Sequence, residues 1–236
     1  MTKINMTRFP DMARRNSFVF DFDSTLVTIE TLDTLLKSCL SDDGTRRRID
    51  DITARAMNGE MDFDASLSER LRLAKVKAAH FARMAGEIAD FVTPGMDGVM
   101  DFLRRKDQEL FIVSGGFTEI VRPVAGLFGV PEGHCFANDY ITGADGFVTG
   151  VRAENPLAHE GGKQRVLRAL REENRLPGTV VMLGDGMSDY GVYADGLAGF
   201  FIGCGFSAVR PGVKAAAPVF METAAELLSL LETLLD

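Results

Sequence analysis

The chain has 236 residues, 46% hydrophobic and 25% charged, which is enough apolar material for a full core. A formal net charge of −8, with no lysine–arginine stripe carrying interleaved aromatics, argues against a nucleic-acid footprint. No apolar run approaches the roughly 18 residues needed to cross a bilayer, so a membrane span is excluded as well.

Residues 1–16 read as a loosely attached lead-in. Arg14-Arg15 there lacks the uncharged core of an export signal, because Asp21 and Asp23 interrupt the apolar run that follows. A buried-type strand covers 17–22. From about residue 30 to 92 there is no convincing strand; Ile52, Ala56 and Met57, then Leu67, Leu71 and Ala74, recur at helical spacing. Thr93-Pro94-Gly95 ends that stretch. The expected organisation is therefore a core of residues 17–29 and 93–236, with residues 30–92 inserted as a helical cap.

Strand–helix alternation then resumes, with helix 96–106, strand 109–114, helix 117–128 and strand 134–138. A β-hairpin is expected across 140–152, turning at Ala144-Asp145-Gly146. Helix 162–174, strand 179–184, helix 188–194, strand 198–202, a short helix near 210–215, a strand near 218–221 and helix 223–235 complete the chain. Such alternation predicts an α/β fold with a doubly wound parallel sheet. Cys39, Cys135 and Cys204 are odd in number and widely spaced, which fits a reducing cytoplasm. His80, His134 and His159 form no spaced ligand set.

Chemistry concentrates where the strands end. The first strand runs into Asp21-Phe22-Asp23-Ser24-Thr25, two carboxylates in a place that penalises buried charge unless a cation meets it. Leu110-Phe111-Ile112-Val113 ends in Ser114-Gly115-Gly116, and Val180-Val181-Met182-Leu183 ends in Gly184-Asp185-Gly186-Met187-Ser188-Asp189. Gly161-Gly162-Lys163 places a lysine at a helix start. Open α/β sheets bind ligands at the carboxyl ends of their strands, and this inventory suits a phosphate and a divalent metal.

These four segments stand in the order of the four motifs of the haloacid dehalogenase superfamily of phosphatases, which the chain resembles from about residue 18 to 235. Further matching segments are Ala56-Met57-Asn58-Gly59, Phe63, Ser66 to Arg70, Phe136-Ala137-Asn138 and Phe201-Ile202-Gly203. The resemblance implies a Rossmann-like core with an inserted helical cap. It also implies a Mg²⁺-dependent phosphomonoester hydrolase working through an aspartyl-phosphate, most closely of the branch that releases L-serine from O-phospho-L-serine in the last step of serine biosynthesis.

By that resemblance Asp21 is the nucleophile and Asp23 the general acid and base. Asp21, Asp185 and the backbone carbonyl of Asp23 hold Mg²⁺; Ser114, Gly115 and Lys163 bind the phosphoryl oxygens. Asp189 orients a metal-bound water or Lys163. Glu30 and Arg70 pair with the amino and carboxylate groups of a small zwitterionic substrate, screened by Met57 and Phe63. Ser188, beside Met187, departs from the usual asparagine or threonine, which leaves open another small phosphometabolite or phosphoryl transfer to an acceptor alcohol such as homoserine. A non-catalytic aspartyl-phosphate switch is the remaining alternative; Asp23 disfavours it, because a general base beside the acyl phosphate shortens its life.

Overall fold

Three of the strongest apolar runs, at Phe18, Leu110 and Val180, pair side by side because each is apolar on both faces and has to be covered on both. The structure is a computed structural model and describes residues 14–40, 42–57, 60–61 and 63–235; the side chains of Met57 and Phe63 lie outside the described set. Its strands are β1 (Ser17–Phe20), β2 (Glu109–Phe117), β3 (Cys135–Asn138), the pair β4 (Tyr140–Thr142) and β5 (Val148–Val151), then β6 (Val180–Gly184), β7 (Phe200–Cys204) and β8 (Val219–Met221). All but β4 and β5 form one parallel sheet in the order β3-β2-β1-β6-β7-β8. The chain leaves β1 outward to β2 and β3, then crosses back to β6 on its other side. β1 is therefore the switch point, flanked by the two strands whose ends carry the other motifs.

Alternation along the strands sorts their side chains onto two faces. Phe18, Phe20, Leu110, Ile112, Val181 and Leu183 pack with α5 (Met96–Arg105), α6 (Thr118–Leu127) and α10 (Ala224–Leu235). Val19, Phe111, Val113, Val180, Met182 and Phe201 pack with α7 (Gly162–Glu172) and α8 (Met187–Ala194). Each fully buried aliphatic or aromatic side chain contributes about 1.5–3 kcal/mol, so this three-layer core holds the strand ends rigidly. The doubly wound α/β fold expected from the sequence is present.

Between β1 and α5 the chain forms α1 (Thr31–Cys39), α2 (Asp43–Met57), α3 (Phe63–Leu73), α4 (Ala78–Glu87) and a 3₁₀ turn at Ile88–Phe91. Its stem is stapled. Val27 and Val92 form an isolated antiparallel bridge, Thr28 N–H donates to Phe91 O at 2.8 Å, and Thr93 gives its N–H to Leu26 O and its hydroxyl to Thr25 O. The β4–β5 hairpin belongs to no larger sheet and lies against this helical segment: Val148 N–H donates to Val76 O, and Tyr140 stacks on Phe81 at 4.6 Å.

Several strand boundaries differ from expectation, with β1 ending at Phe20 rather than at residue 22. β2 continues three residues beyond Ser114, because Asn138 Nδ2 donates to Gly115 O at 2.9 Å and keeps the glycines extended beside β3, at a register irregularity. β7 begins two residues later than expected, since the N–H groups of Leu197 and Ala198 turn back to Val192 O and finish α8.

Of the lead-in, residues 1–13 lie outside the described set, and Asn16 is built into the fold at 1% exposure. Its Oδ1 accepts from Thr179 N at 2.9 Å, its N–H donates to Gln108 Oε1, and its carbonyl accepts from Glu109 N. Asn16→Ala leaves a buried N–H at Thr179 without its acceptor, so a loss of about 1–3 kcal/mol is expected in urea unfolding. A midpoint equal to that of the unaltered protein would show that this join carries no stability.

Candidate active site

β1 ends at Phe20, but the ladder continues one step, with Asp21 N–H donating to Leu183 O at 2.8 Å. That bond places the Asp21 side chain beside the end of β6, where Gly184 leads into Asp185. Helix α7 brings the cation. Gly162, its first residue, packs so closely that a Cβ would stand 2.4 Å from Pro156 O, so only glycine lets the helix start there and deliver Lys163 inward.

Lys163 Nζ lies 2.6 Å from Asp21 Oδ1 and 2.6 Å from Asp189 Oδ1. Asp189 Oδ2 accepts from Gly186 N–H at 3.0 Å, so both of its oxygens are engaged and its side chain acts by orienting the lysine. Burial alone would lower the pKa of Lys163, but Asp189 and Asp21 outweigh it and hold the ammonium charged well above the usual lysine range. Asp185 is buried, with Oδ2 2.6 Å from Arg210 Nε. Burial and then the charge of Asp21 push Asp185 up to about 6, against the pull of Arg210.

The carboxylate oxygens of Asp21, Asp185 and Asp189 lie within 4.8 Å of one another. Three carboxylates face one ammonium and one guanidinium, an excess of negative charge held by hard oxygen donors in a buried place. That donor set fits a divalent cation such as Mg²⁺, with Asp21 and Asp185 as its carboxylates.

Asp23 lies deeper. Burial, then Asp21, push its pKa up to about 7, with Thr31 pulling the other way. Its Oδ1 accepts from Thr31 N–H at 2.8 Å, so it caps α1 while its second oxygen faces the site. Ser114 is fully buried within β2, three residues before its end, and its Oγ accepts from Gly116 N–H at 2.9 Å. Gly115 has open space where a Cβ would be, room for a phosphoryl group to approach the backbone.

Residues expected to read the rest of a substrate are less tightly gathered. Glu30, the N-cap of α1, has Oε1 accepting from Ser24 Oγ at 2.7 Å and from Arg210 Nη2 at 2.8 Å. Arg70 is buried in α3, bonded to Thr53 Oγ1 at 3.4 Å and 3.7 Å from Asp33 Oδ1, while its Nε has no partner among the described residues. Glu30 thus sits at the N-cap of α1, and Arg70 reaches the first turn of the same helix at Asp33. Ser188 and Met187 are exposed on the first turn of α8. The side chains of Met57 and Phe63 are outside the described set.

Arg210 is the residue that sequence reasoning missed. It precedes Pro211 at the start of α9 (Pro211–Ala216), just beyond the carboxyl end of β7. No local pattern marks it, because only the tertiary register brings it to Glu30 and Asp185.

The model of the haloacid dehalogenase-like hydrolases matches residues 18–193. Human phosphoserine phosphatase is 34% identical over 213 residues, covering 90% of this chain and 92% of that protein. A phosphoserine phosphohydrolase-like protein from Francisella tularensis superposes with a TM-score of 0.78 at 28% identity, over 92% of this chain and all of that one. A phosphoserine phosphatase captured as an analogue of its phospho-aspartyl intermediate gives 0.72 at 27% identity, over 92% and 99%. With the site's acids, lysine and serine at the strand ends where that fold places its chemistry, the chain belongs to the haloacid dehalogenase-like hydrolase family and is a phosphoric monoester hydrolase.

Proposed function

We propose that the protein hydrolyses O-phospho-L-serine to L-serine and phosphate, through a phosphoryl group carried on Asp21, with Mg²⁺ as cofactor. The observation that carries this reading is the buried cluster of Asp21, Asp185, Asp189 and Lys163, in a chain 34% identical to human phosphoserine phosphatase. Asp21 and Asp185 would hold Mg²⁺, which would offset negative charge on the phosphoryl oxygens and so ease the approach of the Asp21 carboxylate to phosphorus.

In the first step the Asp21 carboxylate forms a bond to phosphorus as the bond from phosphorus to the serine oxygen breaks. The leaving alkoxide takes a proton from Asp23, whose pKa near 7 keeps a useful fraction protonated at neutral pH. In the second step a water oxygen bonds to phosphorus, the acyl-phosphate bond breaks, and the proton lost by water returns to Asp23. Lys163, Ser114 and the N–H of Gly115 hold the phosphoryl oxygens throughout, and such electrostatic clamping carries most of phosphoryl transfer. Asp189 keeps Lys163 aimed.

Glu30 and Arg70 supply one anion and one bidentate cation, the pair a zwitterionic substrate requires. The substrate ammonium would share Glu30 with Ser24 and Arg210. Exposure of Met187 and Ser188 at the mouth favours one further reading, another small phosphometabolite or an acceptor alcohol in place of water. The proposed place is the last step of serine biosynthesis in the cytoplasm, consistent with the free thiols of Cys39, Cys135 and Cys204.

Asp21→Asn is expected to abolish both turnover and ³²P labelling of the protein; a folded variant that still labels would rule out this nucleophile.

Arg70→Ala is expected to lower kcat/KM for phosphoserine by roughly 10–150-fold, the equivalent of losing one charge-assisted contact, and to spare phosphoethanolamine, which has no carboxylate. Equal losses on both substrates would remove phosphoserine as the assignment and leave the phosphatase chemistry standing.

Stability in EDTA should fall as pH rises. Asp23 and Asp185, at about 7 and about 6, both lie above the ordinary aspartate value of 3.8. The folded state therefore binds more protons than the unfolded state, and the stability this contributes below the unfolded pKa is lost as pH rises through the folded values. A bound divalent cation offsets the exposed negative charge, so the gain in Tm from Mg²⁺ is expected to be larger near about pH 8 than near about pH 5. A gain that is flat with pH, or larger in acid, would contradict a metal held by these carboxylates.

A further inference from the structure

Helix α1 starts against the active site. Its N-cap residue, Glu30, is extended at φ −86° and ψ 104°, and its own side chain makes no capping bond. Thr31, the first helical residue, is 1% exposed. An N–H at this position has no partner within the helix. Here it donates to Asp23 Oδ1 at 2.8 Å. The other oxygen faces Gly116: a Cβ on that glycine would stand 3.4 Å from Asp23 Oδ2 and 3.1 Å from Ser114 Oγ. Because Gly116 carries no such atom, Oδ2 and the phosphate-binding hydroxyl border one opening.

We propose that Thr31 is a positioning residue for the acid/base step, its backbone N–H holding one oxygen of Asp23 so that the other addresses the leaving group. The terminal torsion of an aspartate is broad and roughly two-fold, so an unrestrained carboxyl presents either oxygen. A donor fixed on Oδ1 keeps that oxygen an acceptor, which puts the proton of the neutral acid on Oδ2, toward the reaction. As the bond from phosphorus to the substrate oxygen breaks, this proton passes to that oxygen; in the second step Oδ2 receives it back from water. Thr31 also opens the first helix of the segment inserted between β1 and α5, so the hydrogen bond that aims the acid also ties the start of that helix to the end of β1. The inference rests on the acid/base role given to Asp23 above.

The test is Thr31→Pro. The extended backbone of Glu30 accepts a following proline, and a first helical position needs no N–H, so the substitution deletes the N–H, together with the hydroxyl that Thr31→Ala removes alone, and keeps the helix. Phosphoenzyme formation is measured in the Mg²⁺-loaded protein with O-phosphoserine, whose alkoxide needs a proton, and with p-nitrophenyl phosphate, whose phenolate does not. The expected loss is roughly 10–100-fold for phosphoserine and under about 3-fold for the aryl ester. Thr31→Ser and Thr31→Ala, which keep the N–H, are expected to recover most of the phosphoserine rate.

A loss common to both substrates, or none, overturns the proposal. Asp23→Ala measured alongside separates the two layers. If it too fails to discriminate between the substrates, the acid/base role of Asp23 is wrong; if it discriminates and Thr31→Pro does not, only the clamp is wrong. Should Thr31→Pro not fold, the ¹H–¹⁵N resonance of Thr31 decides: a downfield amide proton that moves upfield in Asp23→Ala is expected, and one that does not move refutes the clamp.

Discussion

Four buried or near-buried carboxylates, those of Asp21, Asp23, Asp185 and Asp189, converge where parallel strands end, and one buried lysine stands among them. Removing such a lysine would leave two charges unpaired in the interior, a penalty of about 3–5 kcal/mol in comparable buried pairs. Much else in the molecule serves to meet that constraint. Gly162 is small so that α7 reaches the sheet, β1 carries its ladder one residue further to place Asp21, and Gly186 donates its N–H to keep Asp189 turned toward the lysine. Burial first, and the charge of Asp21 second, raise Asp23 and Asp185 into the range where a carboxyl exchanges protons near neutrality.

The inserted helices inherit their place from the same strand. Since the stem is closed by Thr28, Thr93 and the Val27–Val92 bridge, α1 cannot start far from the end of β1, and its first residues fall on Asp23 and Ser24. Ser24 accepts a left-handed backbone at φ +53° within this tight return. A non-glycine residue there costs of order 1–3 kcal/mol unless its surroundings hold it. The hydroxyl of Ser24 on Glu30 is one such restraint. Sheet, stem and helix start thus form a short loop of structure in which each end positions the other.

What the sequence disclosed, and what it withheld, follows from the range of the forces involved. Asp21, Ser114, Lys163 and Asp185 were legible because each terminates an apolar run or begins a helix, and strand ends of a parallel sheet converge by topology alone. Arg210 and Thr31 were not, because their partners lie 180 and eight residues away and only the tertiary register brings them together. The run past Ser114 in β2 depended on a side chain of β3, Asn138, which no local pattern in Ser114-Gly115-Gly116 could announce. Glu30 was recognised as an acid near the site, while its occupation by Ser24 and Arg210 belongs to geometry.

The two cations of the site sit in different dielectric surroundings, and this divides its functions. Lys163 is buried between two carboxylates, so its charge acts at full strength and any change there reaches the core packing. Arg210 and Glu30 are each about half exposed, where water screens their attraction and an isolated ion pair contributes little to stability. Arg210 nevertheless touches both layers, with Nε on buried Asp185 and Nη2 on Glu30, and the rigid plane of its guanidinium holds those acids at a set spacing. The buried lysine and its acids are therefore anchored in the fold, whereas the Arg210–Glu30 pair lies in a screened rim where sequence change costs little stability. Such a division explains how the floor of the site keeps the full set of family motifs while Met187 and Ser188, at its exposed edge, depart from them.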